Sequence, residues 1–119
     1  MLTVVVASYR YGHLAAHCIE SLLSQTVAPE KILFVDDGVG DCTHLPMTYP
    51  EVEYVLRDEN LGTVDNFQDM LMRVKSEYTM FLGADNWLRS DAIWKLLEHN
   101  HLRDSDTVSY THLTLPTKA

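Results

Sequence analysis

Four short runs, TVVVA, ILFV, VEYVL and YTMFL, recur along the chain, spaced by segments whose apolar residues repeat with a helical period. A short β-branched or aromatic run bounded by turn residues reads as a strand, and a wholly apolar one as a strand covered on both faces. The expected strands are Thr3 to Ala7, Ile32 to Val35, Val52 to Leu56 and Tyr78 to Leu82. Strands that alternate with helices need right-handed crossovers, which restricts the chain to an α/β architecture with a mainly parallel sheet flanked by helices.

The helical segments follow from their periods. His13 to Ser24 carries two adjacent stripes, Leu14/Cys18/Leu22 and Ala15/Ile19/Leu23, expected as one apolar face. Thr63 to Lys75 aligns Val64, Phe67, Leu71 and Val74. Ser90 has the chemistry of an N-cap for a helix running to about His99, with Ile93, Trp94 and Leu97 facing inward. Between the second and third strands, GVGDCTHLPMTYP is punctuated by Gly and Pro and reads as loop.

The chain has 119 residues, 9 of them basic and 17 acidic, for a formal net charge of -8. One modest domain fits that length. Binding to a nucleic-acid backbone needs clustered Lys and Arg, so a nucleic-acid partner is not expected. No run approaches the roughly 18 apolar residues of a membrane span, and Met1 opens directly into LTVVVASY with no leader pattern. The expected compartment is the cytoplasm, with membrane association left open for a longer natural protein. Cys18 and Cys42 lack the short spacings of zinc or redox sites; His13 and His17 lie on or beside the first helix, His44, His99 and His101 show no ligand spacing, and all five read as surface or boundary histidines.

Parallel α/β sheets bind ligands beyond the carboxyl ends of their strands. Those ends carry Ser8-Tyr9-Arg10, Asp36-Asp37-Gly38 and Gly83-Ala84-Asp85-Asn86. No strand is followed by Gly-x-Gly-x-x-Gly or a Gly-Lys-Ser loop, which argues against a dinucleotide or P-loop site. Acids beside an anionic substrate call for a cation, and Mg or Mn bridges carboxylate to phosphate while keeping waters as further ligands. Adjacent residues on an extended chain point to opposite sides, so one of Asp36 and Asp37 should face a pocket, where its carboxylate could accept an imide N–H or a sugar hydroxyl. All three aspartates also suit plain turns, and spacing leaves both readings open. A signalling receiver domain is the rival class, because KILFVDDG resembles the acidic pocket of those domains and Asp85 stands where a phosphoacceptor could. A receiver needs a helix directly after the acids, where this chain has GVGDCTHLP. A non-catalytic nucleotide-binding module is a third reading.

VVVASYRYGHLAAHCIESLLSQTVAPEKILFVDDG, then NLG, then EYTMFLGADNWL together resemble the nucleotide-binding half of the family 2 glycosyltransferases, from Leu2 to about His99. The resemblance implies a truncated Rossmann-like nucleotide-diphospho-sugar transferase fold of the A type. It implies that Ala7, Ser8 and Tyr9 line the nucleotide pocket, that Asp37 holds the base, and that Asp85, the last acid of the family's metal motif, ligates Mn or Mg at the diphosphate. Asn60 and Gly62 match the family's Asn-x-Gly turn and, with Ala84, complete the expected nucleotide-sugar-binding set. The partner implied is a uridine- or thymidine-linked nucleoside-diphosphate sugar, and the reaction a metal-dependent, inverting transfer of the sugar. The catalytic base is expected downstream of this chain. Asp91 and Glu98 have no motif match.

The chain also departs from the family. Arg10 stands where Asn is common, and Gly83 where Asp is, so the metal motif is reduced. Arg57 reads as a solvated surface residue, with pairing to a pocket acid as the alternative. Asp65 and Asn66 open a helix and read as structural. Trp87 and Trp94 are expected in the core, with Trp87 close enough to the metal motif to wall a sugar site. At the far end, VSYTHLTLPT alternates like a half-buried strand, yet resembles one reading frame of a transposon-end sequencing adapter. The expected division is therefore a partial nucleotide-sugar-binding domain at 1–107 and a non-native tail at 108–119, with the natural gene continuing beyond Thr107.

Overall fold

Val4, Val5 and Val6 are all fully buried, which requires a strand covered on both faces. The computed structural model, which describes residues 2–100, places them in strand β1 (Leu2–Ser8), followed by helix α1 (Ala15–Leu23), β2 (Lys31–Asp36), the short helix α2 (Leu45–Thr48), β3 (Glu53–Leu56), α3 (Thr63–Arg73), β4 (Tyr78–Gly83) and α4 (Ala92–Asn100). The sheet order is β3-β2-β1-β4 and every pair is parallel. The four expected strands are all present, within two residues at each end. The expected tail, 108–119, lies outside the described residues.

Two apolar layers sandwich the sheet. On one face Val4 and Val6 join Phe34 and Met80 against Ala15, Cys18, Ile19 and Leu22 of α1 and Ile93 and Leu96 of α4. On the other, Val5, Leu33 and Val35 meet Met70 of α3, with Phe67 edge-on to Phe81 at 5.1 Å between centroids. Each such large side chain contributes about 1.5–3 kcal/mol by leaving water.

The helices correct three expectations. A helix facing a sheet buries one stripe, and in α1 that stripe is Ala15, Cys18, Ile19 and Leu22, leaving Leu14 and Leu23 exposed. In α3 and at its C-cap, Phe67 and Val74 pack on the core as expected, but Val64 is 70% exposed and Leu71 is exposed too; Asn66 and Met70 are buried in their place. The cause is polar: Arg57, at the end of β3, reaches Asn66 and Asp69 and pins that side of α3 to the sheet. In α4, Trp94 is 48% exposed and Leu96 takes its place in the core. The backbone carbonyl of Asp91 accepts from the Lys95 N–H at 3.0 Å, so Asp91, not Ser90, stands at the cap position. Within the expected loop, α2 forms around Leu45, which is fully buried, and the Tyr54 hydroxyl donates to the Leu45 and Tyr49 carbonyls at 3.1 and 2.8 Å.

Candidate functional site

The parallel order brings three separate sequence segments to one edge of the sheet. Ala7 of β1 lies beside Gly83 of β4, and the Ala84 N–H donates to the Ala7 carbonyl at 2.9 Å. On the other side of β1, the Asp37 N–H donates to the Ser8 carbonyl at 2.9 Å. The ends of β2, β1 and β4 therefore run side by side, as an α/β binding edge should.

Asp36 and Asp37 divide as alternation requires. Asp36 turns away, fully buried, and its carboxylate accepts from the Gly40 N–H at 2.9 Å and the Val39 N–H at 3.4 Å, shaping the loop after β2. Asp37 is buried but lines a cavity of about 360 Å³. Its Oδ1 accepts from the Leu61 N–H at 2.9 Å and its Oδ2 from Asn60 Nδ2 at 3.0 Å; the same amide donates to the Asp37 carbonyl at 2.8 Å. The Asn60-Leu61-Gly62 turn is thus folded down onto Asp37. Gly38 makes that approach possible: its φ is 84°, and a Cβ there would meet the Asn60 nitrogen and the Glu59 carbonyl carbon at 2.3 Å.

Arg57 overturns the surface reading. Its side chain is 10% exposed, its Nε donates to Asn66 Oδ1 at 2.8 Å and its Nη2 to Asp69 Oδ2 at 2.6 Å, and Nε stands 3.8 Å from Asp37 Oδ1. Arg73 shares Asp69 at 2.7 Å, and hydrogen bonds from Arg73 and Arg57 hold the Asp69 carboxyl below the usual carboxylate range. A buried guanidinium of this kind is tolerated because its Nε and Nη2 donors meet acceptors, with the Asp37 and Asp69 carboxylates close by.

The cavity brings together six of the residues expected from sequence: Ala7, Ser8, Tyr9, Asp37, Asn60 and Gly62. It adds Tyr11, Thr63, Asn66 and Phe67. The last three had a signal that was read as structural: they open the helix directly after the Asn-x-Gly turn, so they share its approach to Asp37. Ala84 and Asp85 do not line this cavity. Ala84 is fully buried in the core beneath the end of β1.

Asp85 is half-buried, and its Oδ1 accepts from Asn86 Nδ2 at 3.2 Å. A Cβ on Gly83 would lie 2.7 Å from that oxygen, so the carboxylate occupies space that a side chain at 83 would take. With one side-chain donor recorded on it, the carboxylate keeps acceptor capacity for a hard cation. Beside it, burial, with the Asp85 charge second, pushes the Cys18 thiol up to about 12; a thiol is in any case a poor partner for a hard cation. Asp36, Asp41 and Cys42 also bring ligand atoms within 4.8 Å of one another. Each is already engaged: Asp41 Oδ2 accepts from the Gly12 N–H at 2.9 Å, and the Cys42 thiol donates to Asp41 Oδ1 at 3.3 Å. Burial, then that hydrogen bond, pushes the Cys42 thiol up to about 12. Hard cations prefer oxygen ligands, so a lone strand-end carboxylate suits Mn or Mg better than this clamp does. Trp87, two residues past Asp85, is half-buried and stacks on His17 at 4.5 Å between centroids.

The sequence matches the profile of glycosyl transferase family 2 over residues 3–112. The chain belongs to that family. Family membership displaces the receiver-domain alternative, and no helix follows the β2 acids before α2 at Leu45. Among relatives, the chain is 30% identical over 103 residues to the teichoic acid poly(glycerol phosphate) polymerase of Staphylococcus epidermidis, covering 82% of this chain and 14% of that protein. It is 25% identical over 113 residues to the poly(ribitol-phosphate) beta-glucosyltransferase of Bacillus spizizenii, covering 88% and 18%. Crystal structures of S. aureus TarS 1-349, one in complex with UDP and one with UDP-GlcNAc, each superpose with a TM-score of 0.70, at 19% and 17% identity; they cover 87% of this chain and 32% and 31% of those chains. The chain therefore spans well under half the length of each of these family relatives. The fold is the A-type fold expected of the family, and among the described residues no helix is long and apolar enough to cross a membrane.

Proposed function

We propose that this chain is the donor-binding part of an inverting, metal-dependent glycosyltransferase that takes a sugar from a uridine- or thymidine-linked nucleoside diphosphate. The observation that carries this reading is Asp37, a buried carboxylate fixed by Asn60 and the Leu61 N–H at the wall of a cavity of nucleoside size. A carboxylate only accepts hydrogen bonds. Uracil and thymine both present an imide N–H, whereas cytosine would set a lone pair against it. Tyr9, Tyr11 and Phe67 supply aromatic surface for the base in the same cavity.

Across β1 from Asp37, Asp85 would hold Mn or Mg against the donor's diphosphate. Bound there, the cation would stabilise the charge of the leaving diphosphate. The remaining groups act by position: Ser8 and Tyr9 form the floor and rim of the cavity, Asn60 and Gly62 hold the turn against Asp37, and Ala84 ties the Asp85 turn to β1 through its N–H. Deprotonating an acceptor hydroxyl needs a base, assigned here to sequence outside this chain, along with the acceptor site. Alone, the chain would bind donor without transferring sugar. The cytoplasm, where such donors are made, is the proposed compartment. Residues 1–107 would form the native unit and 108–119 an appendage; deleting the latter should leave the melting temperature unchanged or raised, and a fall of several degrees would make it a genuine strand.

Titration calorimetry with uridine diphosphate, with and without Mn, tests the site. Asp85→Asn keeps shape and removes the ligating charge, so metal-dependent affinity should fall roughly ten- to a hundredfold, the scale of a lost charged contact. Asp37→Asn still accepts one hydrogen bond, so affinity should fall modestly and remain Mn-dependent. Equal effects of the two, or Mn dependence retained in Asp85→Asn, would return Asp85 to a turn role.

A further inference from the structure

Arg10 is the one non-glycine residue among those described with a left-handed backbone, at φ 70°. That region resists side chains with a Cβ and is best tolerated by Gly, Asn and Asp, so a long cationic residue held there is a strained choice that points to a use. The guanidinium is exposed and lies over the Tyr9 ring, 5.0 Å from its centroid. Arg57, Arg73 and Arg89 each reach a carboxylate. Arg10 pairs with none among the described residues, although acid-bearing strand ends flank β1 on both sides, at Asp36-Asp37 and at Asp85.

Its place gives the use. Tyr9 and Tyr11, on either side of it, both line the cavity. The segment stands at the exit of β1, which lies between β2, leading to Asp37, and β4, leading to Asp85. Arg10 itself stands outside the lining of that cavity. A nucleoside diphosphate with its base at Asp37 and its diphosphate toward Asp85 crosses the exit of β1 with its ribose, and neighbouring strands lie only about 4.8 Å apart, so a side chain as long as Arg leaving β1 can extend to the adjoining phosphates.

We propose that Arg10 binds the donor's diphosphate. The assignment rests on the nucleotide-sugar reading of the cavity and adds a phosphate-binding residue to it. The planar fork of an Arg matches phosphate oxygens with two parallel hydrogen bonds, and an aromatic face beneath it orients the plane while leaving the N–H edge open. Donor affinity then has a component that does not depend on metal, because a fixed protein cation shares in neutralising the diphosphate.

The test uses the full 119-residue chain, with uridine binding followed by NMR shift changes and uridine diphosphate binding by calorimetry, in Mn and in EDTA. Arg10→Asn removes the charge and suits the left-handed backbone, so the melting temperature should hold or rise. Affinity for uridine diphosphate should fall about tenfold in both buffers, affinity for uridine should stay unchanged, and Arg10→Lys should fall between. If Arg10→Asn binds uridine diphosphate within twofold of the parent, or loses uridine and uridine diphosphate equally, the assignment is overturned while the donor site stands. If the parent chain binds no uridine diphosphate in either buffer, the donor-site reading falls and this assignment with it.

Discussion

The two flanks of the site are built on opposite plans. On the β2 side, Asp37 is held by a turn, an amide side chain and a nearby buried Arg57, which in turn grips α3 through Asn66 and Asp69. On the β4 side, Asp85 has a single side-chain donor and sits over a glycine. The first acid is set before any ligand arrives, as recognition of a rigid planar group requires. The second keeps open coordination, as a cation that brings its own waters and a phosphate would need. The two acids are thus held differently on opposite sides of one strand, which is what the separate roles proposed for them call for.

The largest test of that contrast is Arg57→Met, which strips the cation from a buried network, takes the Nε donor from Asn66 and leaves Asp69 with Arg73 alone. Unfolding in urea should show a loss of about 3 kcal/mol, the scale of breaking a buried pair. A change below about 1 kcal/mol would make the network surface decoration. Its pH signature has a definite sign. The Asp69 carboxyl is lowered in the folded chain, so its stabilisation is complete above the ordinary aspartate value of about 3.9 and is lost as pH falls through the folded value. Arg57→Met should flatten that acid limb only in part, because the Arg73 hydrogen bond is the larger cause of the lowered value. Next in size is Gly38→Ala, whose Cβ would strike backbone of the Asn60 turn; a loss of about 2 kcal/mol is expected, with weaker nucleotide binding because the turn must lift from Asp37. The smallest effect belongs to the other flank. Asp85→Asn should shift stability by less than about 0.5 kcal/mol, and a loss comparable to that of Gly38→Ala would erase the contrast.

The strands and the acid-bearing ends were legible because apolar runs and turn residues are local signals. The helix faces were less so. In α3 the periodic stripe of Val64 and Leu71 competes with a polar tether from Arg57, and the tether wins because a desolvated guanidinium must find its acceptors. The same tether hid Arg57 and Asn66 from a sequence reading: a lone Arg after a strand looks solvated until its partners are placed. Asp37, Asn60 and Gly62 were legible as a motif, but the hydrogen bonds that join them span 23 and 24 residues and follow from tertiary closure.

The central strand also sets an order of events. β1 pairs on one side with β2 and on the other with β4, so Leu2 must wait for Tyr78. Contacts across that much chain slow folding, because loop closure precedes the gain from pairing. During synthesis β1 emerges before β4 and keeps one edge unpaired until β4 has been made, an interval in which it is open to pairing with other chains. The Asp85 turn, tied to β1 through the Ala84 N–H, cannot take its position before then, and so the binding edge closes only once β4 has been made.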